Sequence, residues 1–152
     1  MAKKKSTPHA SQEIANECLA VRVRLLSRTL TRIYDEALRP LGMTAAQMNL
    51  LVLVSNHGPI GQAEISRQLN LEKSTLSRNV ERMRTQGWIV TSPSGAGRGR
   101  VLDLTAAGVK QLETSRPLWD AAQVEARGLL GERDARSLKR IADSLWATLG
   151  QN

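Results

Sequence analysis

The chain has 152 residues, of which 41% are hydrophobic, so it is not an intrinsically disordered protein and is long enough for one domain with its own core. Its formal net charge of +8 favours a polyanionic partner. Aromatic residues make up only 3%, so the core must be built from aliphatic side chains and methionine, which favours packed helices over a sheet sandwich.

The sequence shows no pattern typical of catalysis or metal binding. Its single cysteine, Cys18, allows neither an internal disulfide nor a CxxC metal site, and we find no Ser/His/Asp or paired-carboxylate constellation. We therefore expect neither an enzyme nor a cofactor. The N-terminus MAKKKSTPHASQE lacks the apolar run of a secretory signal, and no stretch approaches about 18 uninterrupted apolar residues. These features predict a cytoplasmic protein.

The N-terminal part is predicted to be a flexible basic tail, residues 1–11, followed by one long helix over residues 12–39. Apolar side chains recur along this helix at spacings of three and four and cover more than one side. A helix that is apolar on two sides must bury both, which a homodimer would achieve. Pro40 and Gly42 are expected to end it.

Two shorter helices are predicted next. Thr44 is a favourable N-cap for a helix over residues 45–56, which a Gly-Pro pair then stops. Residues 62–69 give a third helix, and Asn70 is suited to a left-handed conformation that closes the turn after it.

A fourth helix over residues 73–86 has two different faces. Three apolar side chains at i, i+4 and i+7 predict a buried face, and they are Leu76, Val80 and Met83. Residues 88–91 and 101–104 predict two short strands, joined by the glycine-rich basic loop SPSGAGRGR. Two helices with a tight turn, followed by a hairpin, are typical of a winged helix-turn-helix.

The C-terminal part is predicted to be helical. Thr105 is a suitable N-cap for a fifth helix, which Pro117 should kink or split. Gly131 marks a turn, and a last amphipathic helix is expected over residues 134–149.

Positive charge is concentrated in the helix-turn-helix and the hairpin. Between Lys73 and Arg100 there are six basic side chains and one acid, Glu81. The first turns of a recognition helix meet base edges, and arginines in a glycine-rich loop can reach the DNA backbone or minor groove. The predicted DNA-binding residues are Lys73, Ser74, Thr75, Ser77, Arg78, Asn79, Arg82, Arg98 and Arg100.

The segment GPIGQAEISRQLNLEKSTLSRNVERMRTQGWI, the loop and the motif LDLTAAG closely resemble the MarR family of bacterial transcription regulators. The likeness extends upstream to RTLTRIYDEALRPLGMTAAQ. It implies a mainly α fold with a small β-hairpin wing, in which a winged helix-turn-helix at about residues 44–104 lies between dimerisation helices at about 12–39 and 105–149. Residues 12–150 would form this single domain.

The resemblance also implies a homodimer that binds a pseudo-palindromic operator in double-stranded DNA. Such regulators usually repress, and they release DNA when a small effector binds between the dimerisation and DNA-binding lobes. For this chain an anionic phenolic or antibiotic-like compound is expected, and the candidate ligand-binding residues are Arg28, Arg32, Tyr34 and His57.

The chain departs from its relatives at two positions. Ala96 stands where the family usually has an aspartate that braces the wing arginine matching Arg98, so a looser wing is expected. Counted back from Tyr34, Cys18 lies two residues before the reactive cysteine of hydroperoxide-sensing relatives, which is about 200° around a helix. A buried, inert thiol is therefore favoured over a redox sensor.

The sequence thus predicts a sequence-specific DNA-binding regulator, most simply a homodimeric repressor released by a ligand. Three alternatives stay open: an architectural DNA-binding protein without an effector, a thiol-based redox regulator acting through Cys18, and an adaptor that binds protein partners.

Overall fold

The computed structural model describes residues 9–95 and 99–149, which form α-helices, a short 3-10 helix and a small antiparallel sheet. The mainly α fold class with a β-hairpin wing is confirmed. The helices are α1 (His9–Glu17), α2 (Leu19–Leu38), α3 (Ala45–His57), α4 (Gln62–Gln68), α5 (Lys73–Thr85), α6 (Ala106–Leu130) and α7 (Glu132–Leu149). The strands are β1 (Ile60–Gly61), β2 (Ile89–Pro93) and β3 (Arg100–Leu104), and Arg39–Leu41 forms a short 3-10 helix.

The chain divides into two compact units between Arg32 and Ile33. In the first unit the predicted single helix over residues 12–39 is wrong, because α1 and α2 are separated at Cys18. The side chain of Arg22 explains the break. Its guanidinium donates to the backbone oxygens of Ala15, Asn16 and Cys18, so it satisfies carbonyls that would otherwise need helical partners. The end near Pro40 is confirmed, since Gly42 adopts a left-handed φ of 63°.

In the second unit, α3 lies at the centre of the core. The predicted N-cap is confirmed as a full capping box: the backbone N–H of Gln47 donates to the Thr44 hydroxyl, and Gln47 Oε1 accepts from the Thr44 N–H. The rest of α3 is apolar on most sides and is buried there. The core consists of Leu38, Met43, Met48, Leu50, Leu51, Val54, Ile60, Ile65, Leu76, Val80, Met83, Trp88, Ile89 and Leu102.

The helix-turn-helix is confirmed with small shifts of its bounds, α4 ending at Gln68 and α5 at Thr85. Asn70 has a φ of 48° and is the one described non-glycine residue with positive φ. The turn it forms is closed by a hydrogen bond from Leu71 N to Ser66 O, 2.9 Å long. The three apolar residues Leu76, Val80 and Met83 are buried, which fixes the opposite face of α5 toward solvent.

The sheet has the strand order β1-β3-β2. Thr91 pairs with Leu102 and Pro93 with Arg100 in the wing, while Ile60 of β1 pairs with Leu102 from the other side. Strand β1 has two residues, too few to show an alternating pattern, so it could not be predicted from the sequence.

Of the two predicted effects of Pro117, a split does not occur, since α6 runs unbroken from Ala106 to Leu130, and a kink stays a prediction. Proline removes one backbone donor, but packing on both sides of it can hold a helix together. Leu112 before Pro117 and Trp119 after it both pack against the core. Gly131, with a φ of 77°, forms the predicted turn, and α7 begins at Glu132, two residues before the predicted start.

Within the described ranges no single helix is long and apolar enough to cross a membrane. One pair, Leu19–Leu41 with Ala45–His57, meets the length and composition criteria together, but it is bent by 79°. The second member of this pair contains the buried core residues of α3.

Candidate nucleic-acid interface

The solvent face of α5 brings together most of the predicted DNA-binding residues. Leu76, Val80 and Met83 turn into the core, so the polar side chains between them must point outward. Lys73, Ser74, Ser77, Arg78 and Arg82 are exposed, whereas Thr75 and Asn79 are half-buried.

The cations of this face differ in how they are partnered. Arg84 forms a two-point ion pair with Glu81, with nitrogen–oxygen distances of 2.7 and 3.0 Å. The hydrogen bond from Arg84 holds the pKa of the Glu81 carboxyl below its usual value, so this acid stays ionised and paired. Among the described residues, Lys73, Arg78 and Arg82 take part in no ion pair.

Arg78 lies beside Thr75 one turn earlier on α5. Its Nη2 donates to the Thr75 hydroxyl at 3.4 Å, which is a weak contact at that distance. The rest of the guanidinium fork is therefore available to an external acceptor such as the two acceptor atoms of a guanine.

Of the two arginines predicted to contact DNA from the wing, the described residues include Arg100. The described residues do not include Ala96, Gly97 and Arg98. The expectations about Arg98 and about a looser wing therefore concern residues outside the described ranges and stay predictions. Arg100 opens β3 and its Nη2 donates to both oxygens of Thr91, the carbonyl at 3.1 Å and the hydroxyl at 2.5 Å.

A groove of about 690 Å³ separates α5 from the wing. Ser77, Glu81 and Arg84 line its helix side, and Thr91 and Arg100 line its wing side. Two predicted DNA-binding residues from different elements, Ser77 and Arg100, thus border the same groove.

The base of the wing is tied to the start of α6 by Thr105, a role that the sequence showed only in part. Thr105 caps α6 as predicted, accepting from Gly108 N at 3.0 Å. Its hydroxyl also donates to Gly87 O at 2.6 Å, and its N–H donates to Trp88 O at 3.1 Å. One residue therefore joins the segment between α5 and β2 to the first turn of α6.

Gly108 lets α6 approach this junction. A Cβ placed on Gly108 would lie 2.0 Å from Trp88 O, far inside van der Waals contact. The glycine of the motif LDLTAAG is thus required by a close backbone approach, and the sequence alone identified only the motif.

The four candidate ligand-binding residues fall in both compact units, Arg28 and Arg32 in the first and Tyr34 and His57 in the second. Arg28 and Arg32 are exposed and line a depression on α2 of about 710 Å³. The hydroxyl of Tyr34 donates to Gln123, and burial raises the pKa of Tyr34 against the opposing effect of Arg127. His57 is exposed, with Nδ1 2.9 Å from Leu53 O on its own helix.

Cys18 lies at the break between α1 and α2 and is half-buried, so the expectation of a buried thiol is not met in this chain. No group of three or more His, Cys, Asp or Glu side chains suited to a metal ion occurs among residues 9–95 and 99–149.

Comparison with known proteins places these features in a family. The MarR family model matches residues 41–99. The uncharacterized HTH-type transcriptional regulator YwoH of Bacillus subtilis is 28% identical over 98 residues, which cover 64% of this chain and 72% of YwoH.

Two solved structures are also similar. The M. tuberculosis transcriptional regulator MosR in complex with DNA is 31% identical, with a TM-score of 0.69 over 85% of this chain and 98% of MosR. A mutant of MarR from E. coli complexed with operator DNA has a TM-score of 0.76 and 22% identity, over 87% of this chain and 96% of MarR. The likeness to E. coli MarR shows the fold. MosR adds a relative that this chain matches over nearly the whole length of MosR.

Proposed function

Since the chain belongs to the MarR family, a family of transcription regulators, we propose that it is a cytoplasmic, non-catalytic, homodimeric regulator that binds a pseudo-palindromic operator in double-stranded DNA. One observation carries the proposal: the solvent face of α5 presents Lys73, Arg78 and Arg82 without ion-pair partners among the described residues. The DNA complexes of MosR and of E. coli MarR support it, because both proteins share this fold.

In the proposed complex, α5 enters the major groove. Arg78 donates to guanine O6 and N7, Thr75 offers its methyl group to a thymine, and Asn79 and Arg82 extend the contact along the helix. Lys73, Ser74 and Ser77 contact phosphates near the start of α5, where helix amides and positive charge both favour an anion.

The wing adds backbone contacts through Arg98 and Arg100. Backbone contacts position a protein on DNA without reading its sequence. The share of binding that depends on the wing should therefore fall steeply with salt concentration, whereas base preference should follow α5.

Dimerisation is proposed from large apolar side chains that are exposed in the single chain. They include Leu19 at 75%, Leu25 at 67% and Ile14 at 66% near the N-terminus, and Trp146 at 63% in α7. Exposed apolar residues at this density are typical of an interface. We propose that residues 12–39 and 105–149 supply it within a single domain of residues 12–150.

The proposed output is repression that ends when a small effector binds. An anionic phenolic or antibiotic-like compound, held by Arg28, Arg32, Tyr34 and His57, would favour a dimer whose two α5 helices no longer match major grooves about 34 Å apart. Oxidation of Cys18, which lies half-buried between α1 and α2, is the second candidate trigger.

Selection of bound duplexes from a random pool tests the function directly. A regulator should enrich an inverted repeat and prefer it over random DNA by a factor of about 10³ or more in competing salt. Sedimentation of the complex should give two chains per selected duplex. Equal binding to all sequences would support the architectural alternative, and no binding at all would support an adaptor and overturn the proposal.

A further inference from the structure

The two strands of the wing place Arg100 on the face of the sheet that is turned toward α5. Directly paired residues of an antiparallel ladder project to the same face. Arg100 pairs with Pro93, and the same face carries the paired residues Thr91 and Leu102 and then Ile89 and Leu104. Leu102 and Ile89 are buried in the core, so Arg100 emerges at the outer end of the core-facing side.

Thr91 holds the guanidinium of Arg100 by two of its own atoms. Both bonds use Nη2, so Nη1 and Nε of Arg100 donate to no other described residue. A guanidinium carries five N–H donors in a planar fork, so the two Thr91 contacts orient the fork and leave its remaining donors for an external acceptor.

We propose that Thr91 is a positioning residue for DNA binding, which holds Arg100 in place as a phosphate contact beside α5. The inference rests on the DNA-binding function proposed above. Holding a long side chain in its bound geometry reduces the conformational entropy lost on binding. Thr91 supplies this constraint on Arg100 from the facing strand.

A double-mutant cycle tests the proposal in the full chain. The variants are Thr91→Val, Arg100→Ala and the two combined, titrated with a labelled duplex selected from a random pool. Valine keeps the β-branched shape of threonine and removes the hydroxyl, so the strand should persist. We expect Thr91→Val to weaken binding about three- to tenfold when Arg100 is present. It should have no further effect in the Arg100→Ala background, where Arg100→Ala lowers the salt slope by about one unit.

Two controls separate positioning from a general structural role. Thr91→Ser keeps the hydroxyl and should restore binding, whereas Thr114→Val removes an exposed hydroxyl on α6 that bonds to Lys110 O and should leave DNA affinity unchanged. Equal weakening by Thr91→Val with and without Arg100, or no weakening at all, would overturn the inference while the wild-type chain still binds. A wild-type chain that binds no duplex would refute the proposed function as well.

Discussion

Helix α5 and the wing both carry exposed cations, but they hold these side chains in different ways. On α5 the exposed cations are oriented by the burial of Leu76, Val80 and Met83 on the opposite side of the same helix. In the wing, Arg100 is oriented by a contact with Thr91 on the neighbouring strand. The first arrangement follows from local periodicity, and the second depends on strand register, which a sequence pattern does not reveal.

Both regions depend on the junction at Gly87, Trp88 and Thr105, so the largest expected effect is one that breaks them together. Gly108→Ala would put a Cβ 2.0 Å from Trp88 O. Neither atom belongs to the flexible end of a side chain, since the Cβ is attached directly to the backbone and the oxygen is a backbone carbonyl. We expect the free energy of unfolding to fall by about 3 kcal/mol, measured by urea denaturation, because neither segment can move aside cheaply.

The matched control is another glycine of α6. Gly128→Ala meets nothing within 4 Å and lies in the same helix, so it should raise stability by up to about 1 kcal/mol. If the two substitutions changed the free energy of unfolding equally, the close approach of Gly108 to Trp88 would not explain the glycine in the motif LDLTAAG.

A smaller loss of stability should follow from a substitution that removes hydrogen bonds at the same junction without causing a clash. Thr105→Val removes the hydroxyl that donates to Gly87 O and accepts from Gly108 N, and should cost about 1–2 kcal/mol of unfolding free energy. Thr105→Ser should recover most of it in the same denaturation experiment. A valine variant as stable as the wild type would show that the Thr105 hydroxyl does not stabilise this junction.

Arg78→Ala separates the two regions, since it touches α5 alone. We expect operator affinity to fall by about 1–3 kcal/mol, with relaxed preference at one base pair, in anisotropy titrations against operator variants. Arg84→Ala is the control, because Arg84 is already paired with Glu81 and should matter less. Unchanged base preference in Arg78→Ala would remove Arg78 from the reading surface.

The smallest expected effect concerns the single acid of α5's exposed face. The pKa of Glu81 is lowered by its bond from Arg84, so the pair persists at neutral pH and is lost as the pH falls through that lowered pKa. Glu81→Gln frees Arg84 at pH 7, and the slope of log affinity against log salt should steepen by about one unit on random duplexes. An unchanged slope would place Arg84 outside the interface.

The sequence predicted the parts whose cause is local. The N-cap at Thr44, the left-handed Asn70 and the buried stripe of α5 each depend on residues within one or two turns of each other, and each is confirmed. The predictions that the structure contradicts depend on residues further away in the chain. Arg22 reaches back to end α1, and Leu112 and Trp119 pack against the core on either side of Pro117.

The candidate site shows the same division. The residues of α5 could be chosen by helical spacing, but Thr91 could be found only from the register of β2 and β3. The four candidate ligand-binding residues were predicted from the resemblance to the MarR family. The depression that contains Arg28 and Arg32 is lined by residues of α2.

The register of the wing also bears on how these molecules behave when crowded along one DNA duplex. Ser94 N donates to Gly99 O, on the side of β2 that faces β3. Backbone N–H and C=O groups alternate in direction along a strand, so the backbone groups of Thr91 and Pro93 point to the outer edge of β2. At that edge Pro93 has no N–H to offer, and the carbonyl of Thr91 already accepts from Arg100. An edge strand so equipped is a poor template for a neighbour's strand, and wings can lie side by side without joining into a common sheet.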